Sequence, residues 1–368
     1  MKITKNSKDL VKVNQILPVM QEHFGKSMNL ARIKLMAMMM HALCVVQTVS
    51  LHKLAAAMPS DVGRDSNMRR LQRFLAHYAL NLDLIAKMIF SLLPVKTGLV
   101  LSMDRTNWKF GETNINILML GVTYKGVAFP LIFKLMDKRG NSNQEERIKL
   151  VERFISLFGK DCIKCLVADR EFVGKDWIGW LNTHRIRYYI RIRQNFWIRN
   201  PKSSEDARAC WLFNGIRLGE ESCYRKPYLL KGEYVYLAAA RLRNSQGEPE
   251  LQILICYNRP DEALSTYKER WQIETCFRAM KSSGFDIEAT HLNDIKRITR
   301  LVAMVCIALV WAYLVGEHKD LNIKPIRILN NGYRAKSLVK YGLEEIADIL
   351  SRPWRKPDFD IFKFLSCS

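Results

Sequence analysis

At 368 residues and 48% hydrophobic side chains the chain is long enough for two or three domains and can bury a substantial core. Its 58 Lys and Arg against 36 Asp and Glu give a net charge of +22, spread along the sequence, which favours polyanionic partners. The nine cysteines are odd in number and scattered through apolar stretches, which argues against a disulfide scaffold and for reduced thiols in a cytoplasmic protein.

The start, Met1 to Lys12, is polar and lacks an apolar signal core. From Asn29 to about Leu93 apolar residues recur at helical intervals. Ser50 can cap a short helix through Met58, and Ser66 can cap a second that carries Arg69, Arg70 and Arg73 beside Leu71, Phe74 and Leu75. Two short helices around a Gly-containing turn suit a helix-turn-helix that binds DNA; a plain bundle with a solvated basic side fits the same pattern.

After Gly98 the periodicity changes. Leu99 to Met103 reads as a short strand, Ile115 to Tyr124 and Val127 to Phe133 flank a Lys125-Gly126 turn, and Asn143 to Phe158 is helical. A strand over Ile163 to Ala168, a helix over Lys175 to Leu181 and a strand over Arg185 to Arg193 follow. This α/β order matches the ribonuclease H-like fold. From Asn195 to Tyr257 the chain is β-rich, with Tyr234 to Arg243 and Glu250 to Tyr257 forming a hairpin. Helix resumes near Asp261 and continues past Lys281. The apolar run Leu301 to Val315 is shorter than a membrane span and reads as a buried helix, so no membrane partner is expected. A helical tail with a basic, Pro-containing end closes the chain.

Three acids stand out. Asp104 and Asp169 each end an apolar strand run, where ligands of open α/β sheets gather. Neighbouring strands lie ~5 Å apart, so the two carboxylates can share a hard divalent cation such as magnesium. Glu274 lies in Tyr267-x2-Arg270-x3-Glu274-x6-Lys281. On a continuous helix these four residues share a stripe about 60° wide. The stripe offers a metal ligand flanked by phosphate donors; an exposed helix with an Arg270 to Glu274 ion pair fits equally well. In the strand over Arg185 to Arg193, Arg185, Arg187, Arg191 and Arg193 share one face. Either Arg191 and Arg193 contact DNA or the row is a solvated edge strand.

Other patterns are weaker. Cys162 and Cys165 form a Cys-x2-Cys pair without a second pair, so buried thiols are expected in place of zinc. Gly121-x4-Gly126 lacks the lysine of a P-loop, and His184 and His291 are assigned structural roles. Asp137, Glu145, Glu146 and Glu171 are assigned ion pairs or supporting roles.

With these acids placed, the chain resembles the DDE transposases of bacterial insertion sequences, in the cut-and-paste group with the Tyr-x2-Arg-x3-Glu-x6-Lys signature. The resemblance rests on that signature and on Met103 to Trp108, Gly140-Asn141-Ser142, Ala168 to Phe172 and Tyr189 to Arg193. It implies that Asp104, Asp169 and Glu274 are the catalytic, metal-binding triad, using magnesium, for which manganese can substitute. Tyr267, Arg270 and Lys281 would hold end phosphates, and Trp271, Trp197 or Trp211 would stack on a flipped base. The implied partners are double-stranded DNA, as element terminal repeats and as target, and a second copy of the chain in a homodimer.

The fold expected is α/β, a ribonuclease H-like core with a β-rich insertion, a helical N-terminal domain and a helical C-terminal tail. The boundaries are 1–95 for a DNA-binding domain, 96–194 for the first part of the core, 195–258 for the insertion, 259–316 for the part of the core with the glutamate helix, and 317–368 for the tail. The function expected is DNA cleavage and joining of the 3′ ends to target DNA. The alternatives are a nuclease or resolvase of the same fold and a catalytically inactive DNA-binding repressor.

Overall fold

Ten strands form one sheet in the order β3-β2-β1-β4-β5-β10-β9-β8-β6-β7 in the computed structural model, which describes residues 6–110, 113–352 and 359–366. Much of the basic, Pro-containing end, 353–358, and the first five residues of the polar start lie outside the described residues.

Five helices precede the sheet: α1 (Asn6–Phe24), α2 (Leu30–Val46), α3 (Leu51–Ala57), α4 (Arg64–His77) and α5 (Leu82–Leu92). Asn29 Oδ1 accepts from the Arg32 amide at 3.1 Å and Asn81 Oδ1 from the Asp83 amide at 2.9 Å, so side chains satisfy amides that have no helical partner. Ser50 stands at the start of α3 but makes no side-chain cap. The second helix of the expected pair begins at Arg64, behind Gly63, so Ser66 lies inside its first turn and does not cap it. The helix α1, interrupted in composition by Pro18, was not anticipated; it buries Ile16, Met20 and Phe24 at four-residue spacing.

The strands are β1 (Leu99–Phe110), β2 (Thr113–Tyr124), β3 (Val127–Met136), β4 (Ile163–Ala168), β5 (Tyr188–Ile192), β6 (Trp197–Arg199), β7 (Asp206–Arg208), β8 (Glu221–Leu230), β9 (Glu233–Arg243) and β10 (Pro249–Cys256). Helices α6 (Gln144–Phe158) and α7 (Lys175–Thr183) link β3 to β4 and β4 to β5. Strands β1, β4 and β5 run parallel, and the other pairs are antiparallel. Lys125 and Gly126 both take positive φ, 40° and 98°, as a two-residue hairpin turn between β2 and β3 requires. Asn143 and Glu146 form a reciprocal capping box that fixes the start of α6.

Two strand expectations need correction. β1 does not stop at Met103 but runs on to Phe110, because β2 keeps pairing with it to Phe110↔Thr113. Its parallel partner β4 ends earlier, at Met103↔Ala168, so Asp104 sits inside a strand yet just past the end of the parallel pairing. β5 starts at Tyr188, since Arg185 takes a left-handed φ of 51°. It is also an interior strand: β10 pairs with it on the side away from β4, which excludes a solvated edge. The segment 195–258 therefore extends the same sheet.

One face of the sheet sends Leu101, Met103, Leu166, Ala168, Ile190 and Ile192 into the main core. On the other, Cys165, Val167, Tyr189, Leu254 and Cys256 pack against Ala263, Leu264 and Tyr267. These belong to α8 (Ala263–Tyr267), which passes through a 3-10 turn, Lys268–Arg270, into α9 (Trp271–Met280). Helix α9 lies against β1, β2 and β3 through Ile273, Cys276, Phe277 and Met280. Then come α10 (Ile295–Asn322) and α11 (Leu338–Ser351).

The run Leu301 to Val315 is buried, but within a 28-residue helix that is longer than the run alone suggested. By length and composition α10 is the one helix among the described residues able to cross a membrane, yet 83% of its most apolar stretch lies inside the fold. Helices α2, α4, α5 and α11 and strand β3 surround it. Its contact with α11 is backbone on backbone: a Cβ on Gly342 would fall 1.8 Å from the Ala312 carbonyl oxygen, and one on Gly316 2.0 Å from that of Leu338. Because backbone cannot step aside as a flexible side chain does, Gly342→Ala should cost at least about 3 kcal/mol, the upper end of ordinary overpacking. A chemical or thermal denaturation midpoint equal to that of the parent would refute this close crossing.

Candidate active site

The parallel pairing of β1 with β4 brings the first two acids together. Met103 and Ala168 are partners across the two strands, and Asp104 and Asp169 are the next residues of each. Asp104 accepts from the Arg105 amide at 2.8 Å and from Arg270 Nη1 at 3.3 Å. Burial pushes its carboxyl up to about 7; the Arg105 amide and Arg270 oppose this, and the nearby Glu171 and Asp169 reinforce it. Asp169 is half-buried and, among the described residues, has no hydrogen-bonding or ion-paired partner for its carboxylate.

The third acid arrives from α9. Helix α8 docks on the sheet through Tyr267, and the Ser102 hydroxyl donates to the Arg270 carbonyl at 3.3 Å, pinning the turn between the helices over β1. Arg270 Nη2 then meets Glu274 Oε1 at 2.6 Å while Nη1 holds Asp104. The Arg270 side chain is only 11% exposed, so this is a partly buried bridge and not a surface pair. Burial alone would weaken its hold on a proton, but Tyr267, Glu274 and Asp104 more than offset that and raise it. Asp104 and Glu274 thus converge on one positive charge, with Asp169 beside Asp104. As the side chains stand, no three His, Cys, Asp or Glu among the described residues are grouped to hold a metal ion.

The signature does not form the single continuous helix that its spacing suggested. Tyr267 ends α8, Arg270 closes the 3-10 turn, and Lys281 lies just past the end of α9. The 3-10 turn winds more tightly than an α-helix, so the residues do not keep one α-helical stripe. Tyr267 is 7% exposed and packed in the core, where burial pushes its phenol well above the ordinary range. Lys281 reaches back to β1, donating to the Asn107 carbonyl at 3.3 Å, and pairs with Glu288 at 2.8 Å beside the Trp108 ring. Trp271 is 56% exposed and lies beside Arg270.

Among the other expected contacts, Arg187 pairs with Glu262 and Arg191 with Glu250, whereas Arg193 is exposed and has no acidic partner among the described residues. Arg69 and Arg73 are exposed on α4, and Arg70 is half-buried there. Trp197 and Trp211 are both exposed and meet edge to face at 5.9 Å, with the Arg208 guanidinium beside both rings. Cys162 and Cys165 are buried free thiols.

Glu171 is ion-paired, as expected, but the two arginines gathered around it were not foreseen. Arg105 Nε donates to Glu171 at 2.8 Å and its Nη2 to Asn141 at 2.8 Å. Arg147, 3% exposed, holds the Ser142 hydroxyl, the Ser142 carbonyl and the Glu171 carbonyl. The two arginines lock the loops after β3 and β4 around the aspartates. The available signal was an arginine on the apolar side of α6, beside Leu150, Val151 and Phe154.

Residues 99–311, more than half of the chain and including all three acids, match the transposase DDE domain family. A cryo-EM structure of the piggyBac transposase synaptic complex with hairpin DNA has a similar fold, with a TM-score of 0.50 at 11% identity. The similarity covers 93% of this chain and 77% of that one. A search of curated proteins by sequence found no match. The protein belongs to the DDE transposase family and is a DNA transposase.

Proposed function

We propose that this transposase binds the ends of a mobile element, cleaves the DNA there and joins the 3′ ends to target DNA, with Asp104, Asp169 and Glu274 as its metal-holding acids. The observation that carries the reading is the Arg270 bridge, in which one guanidinium contacts carboxylates from β1 and α9, Arg270 and Asp104 being 166 positions apart. The group that best fits is the bacterial insertion-sequence transposases with the Tyr-Arg-Glu-Lys signature. The core is ribonuclease H-like, a reading supported by the strand order β3-β2-β1-β4-β5 and by the antiparallel β2. Residues 1–95 serve as the end-binding domain, 195–258 as the insertion, and paired copies of the chain hold two ends.

The donor set suits a hard divalent cation, magnesium or manganese, because it consists of carboxylate oxygens. Arg270 stands in for positive charge at this position, yet it undersupplies it: with Arg270 in place, burial still pushes the Asp104 carboxyl well above the ordinary carboxylate range. A bound divalent ion supplies activation of the attacking oxygen and charge neutralisation at the leaving one. The chain supplies position. The Arg105 to Glu171 and Arg147 to Ser142 contacts keep the loops of the two aspartates in register. Arg270 hands its charge from the carboxylates to a DNA phosphate, Lys281 and Arg193 add phosphate contacts, and the exposed Trp271 offers a ring on which an unstacked base can lie.

Two measurements test the assignment. Asp104→Ala should abolish magnesium- or manganese-dependent cleavage and joining of element-end DNA while duplex binding persists. Wild-type protein that binds ends but never cuts them favours the repressor, and cutting without joined product favours a nuclease. Separately, Arg270→Gln removes the internal counter-charge, so the DNA-free protein should bind manganese on the order of tenfold more tightly, as free-ion titration by electron paramagnetic resonance reads it. Unchanged or weaker manganese binding would count against Arg270 as the stand-in.

A further inference from the structure

Between α10 and α11 the chain projects a short ribbon that carries none of the three acids. From Leu321 to Ser337 every residue is exposed except Ile326. The ribbon is nevertheless ordered by its own bonds. Ile328 bridges to Arg334, the Leu329 amide donates to the Tyr333 carbonyl at 2.8 Å, and Gly332 turns the tip at a φ of +80°. Its base is anchored by the buried Asp320, whose carboxylate takes the Ile326 amide at 2.6 Å and the Arg334 guanidinium at 3.0 Å. The Tyr341 hydroxyl holds the Lys324 carbonyl at 2.9 Å.

The chemistry of the ribbon is one-sided. No Asp or Glu occurs between Asp320 and Glu344, whereas Lys324, Arg327, Arg334, Lys336 and Lys340 all do. Arg334 and Lys336 have acidic partners on the body of the protein; Lys324 and Arg327 have none among the described residues. Large apolar side chains stand in solvent beside them: Tyr333 is 73% exposed and Ile328 57%. At the foot of the ribbon a cleft of about 480 Å³ is lined by Lys125, Tyr333 and Arg278, the last one helical turn beyond Glu274 on α9. A merely solvated surface would mix charge signs. Unneutralised cations with an aromatic and an aliphatic tip match a sugar-phosphate backbone and the groove beside it.

We infer that residues 324–337 form an arm that grips duplex DNA along its backbone, holding it across the cleft toward α9, with Lys324 and Arg327 on phosphates and Tyr333 against the groove wall. The inference rests on the protein's acting on DNA. Its test is fluorescence anisotropy of the full chain with a labelled blunt duplex of about three helical turns, metal-free and across a salt series, comparing wild type, Lys324→Ala with Arg327→Ala, and Tyr333→Ala. Each lost phosphate contact should reduce the slope of log affinity against log salt by about 0.9, so the double variant should be shallower by about 2. Tyr333→Ala should weaken binding several-fold at an unchanged slope. Circular dichroism melts check that these exposed substitutions leave the fold intact.

Wild-type binding with an unchanged slope and affinity in the double variant overturns the arm alone. Failure of the wild type to bind any duplex overturns the DNA reading, and the arm with it. If the variants instead shift the DNA-free protein from dimer to monomer in sedimentation, with the salt slope intact, the ribbon is a contact between copies and the inference is wrong.

Discussion

Arg270 ties the acid of β1 to the acid of α9 through one side chain. Bringing carboxylates together in a partly buried place is unfavourable unless positive charge accompanies them, and a buried ion that loses its partner costs several kcal/mol. In this chain the charge comes from within. The guanidinium sits between the acid of β1 and the acid of α9, while its own carbonyl is fixed by Ser102. The apolar side of α9 holds the helix over the strands, and the guanidinium adds charge compensation for the two acids. On the function proposed above, a cation and a phosphate would together replace what Arg270 supplies, and occupation by both would be coupled through that one side chain.

Beneath that bridge lies sheet geometry. The two aspartates are neighbours because β4 ends where β1 continues, leaving a notch in the parallel pairing just ahead of Asp104 and Asp169. Strands β9 and β10 extend the sheet past β5, so the long excursion between the aspartates and the glutamate returns the chain to the face where α8 can dock. The excursion does not separate the acids; it supplies Leu254 and Cys256 to the surface on which Tyr267 rests.

Much of this was legible from sequence where local patterns decide. The Lys125-Gly126 turn, the hairpin of β9 and β10 and the helix that follows Asn143 come from local preferences of a few residues. The acids were legible because each ends an apolar run or belongs to a spaced signature. What escaped depends on partners distant in sequence. The full length of β1 is set by β2, the interior place of β5 by β10, and the pairing of Arg191 by Glu250. The tight turn at Arg270 follows from docking on the sheet, which periodicity cannot register. The buried Arg147 was hidden for a related reason: an arginine in an apolar stripe reads as an exposed exception until the loops it clasps are seen.

The apolar helix α10 carries a consequence for how the protein is made. Its Trp311 indole donates to the Ile361 carbonyl at 2.8 Å, and Leu365, near the other end of the chain from α1, meets His23. Part of the wrapping of this helix is therefore translated after it, since Ile361 lies 50 residues beyond Trp311. During synthesis α2, α4, α5 and β3 are already available to cover the helix as it emerges, whereas the face that takes α11 and Ile361 stays apolar and open until those segments follow.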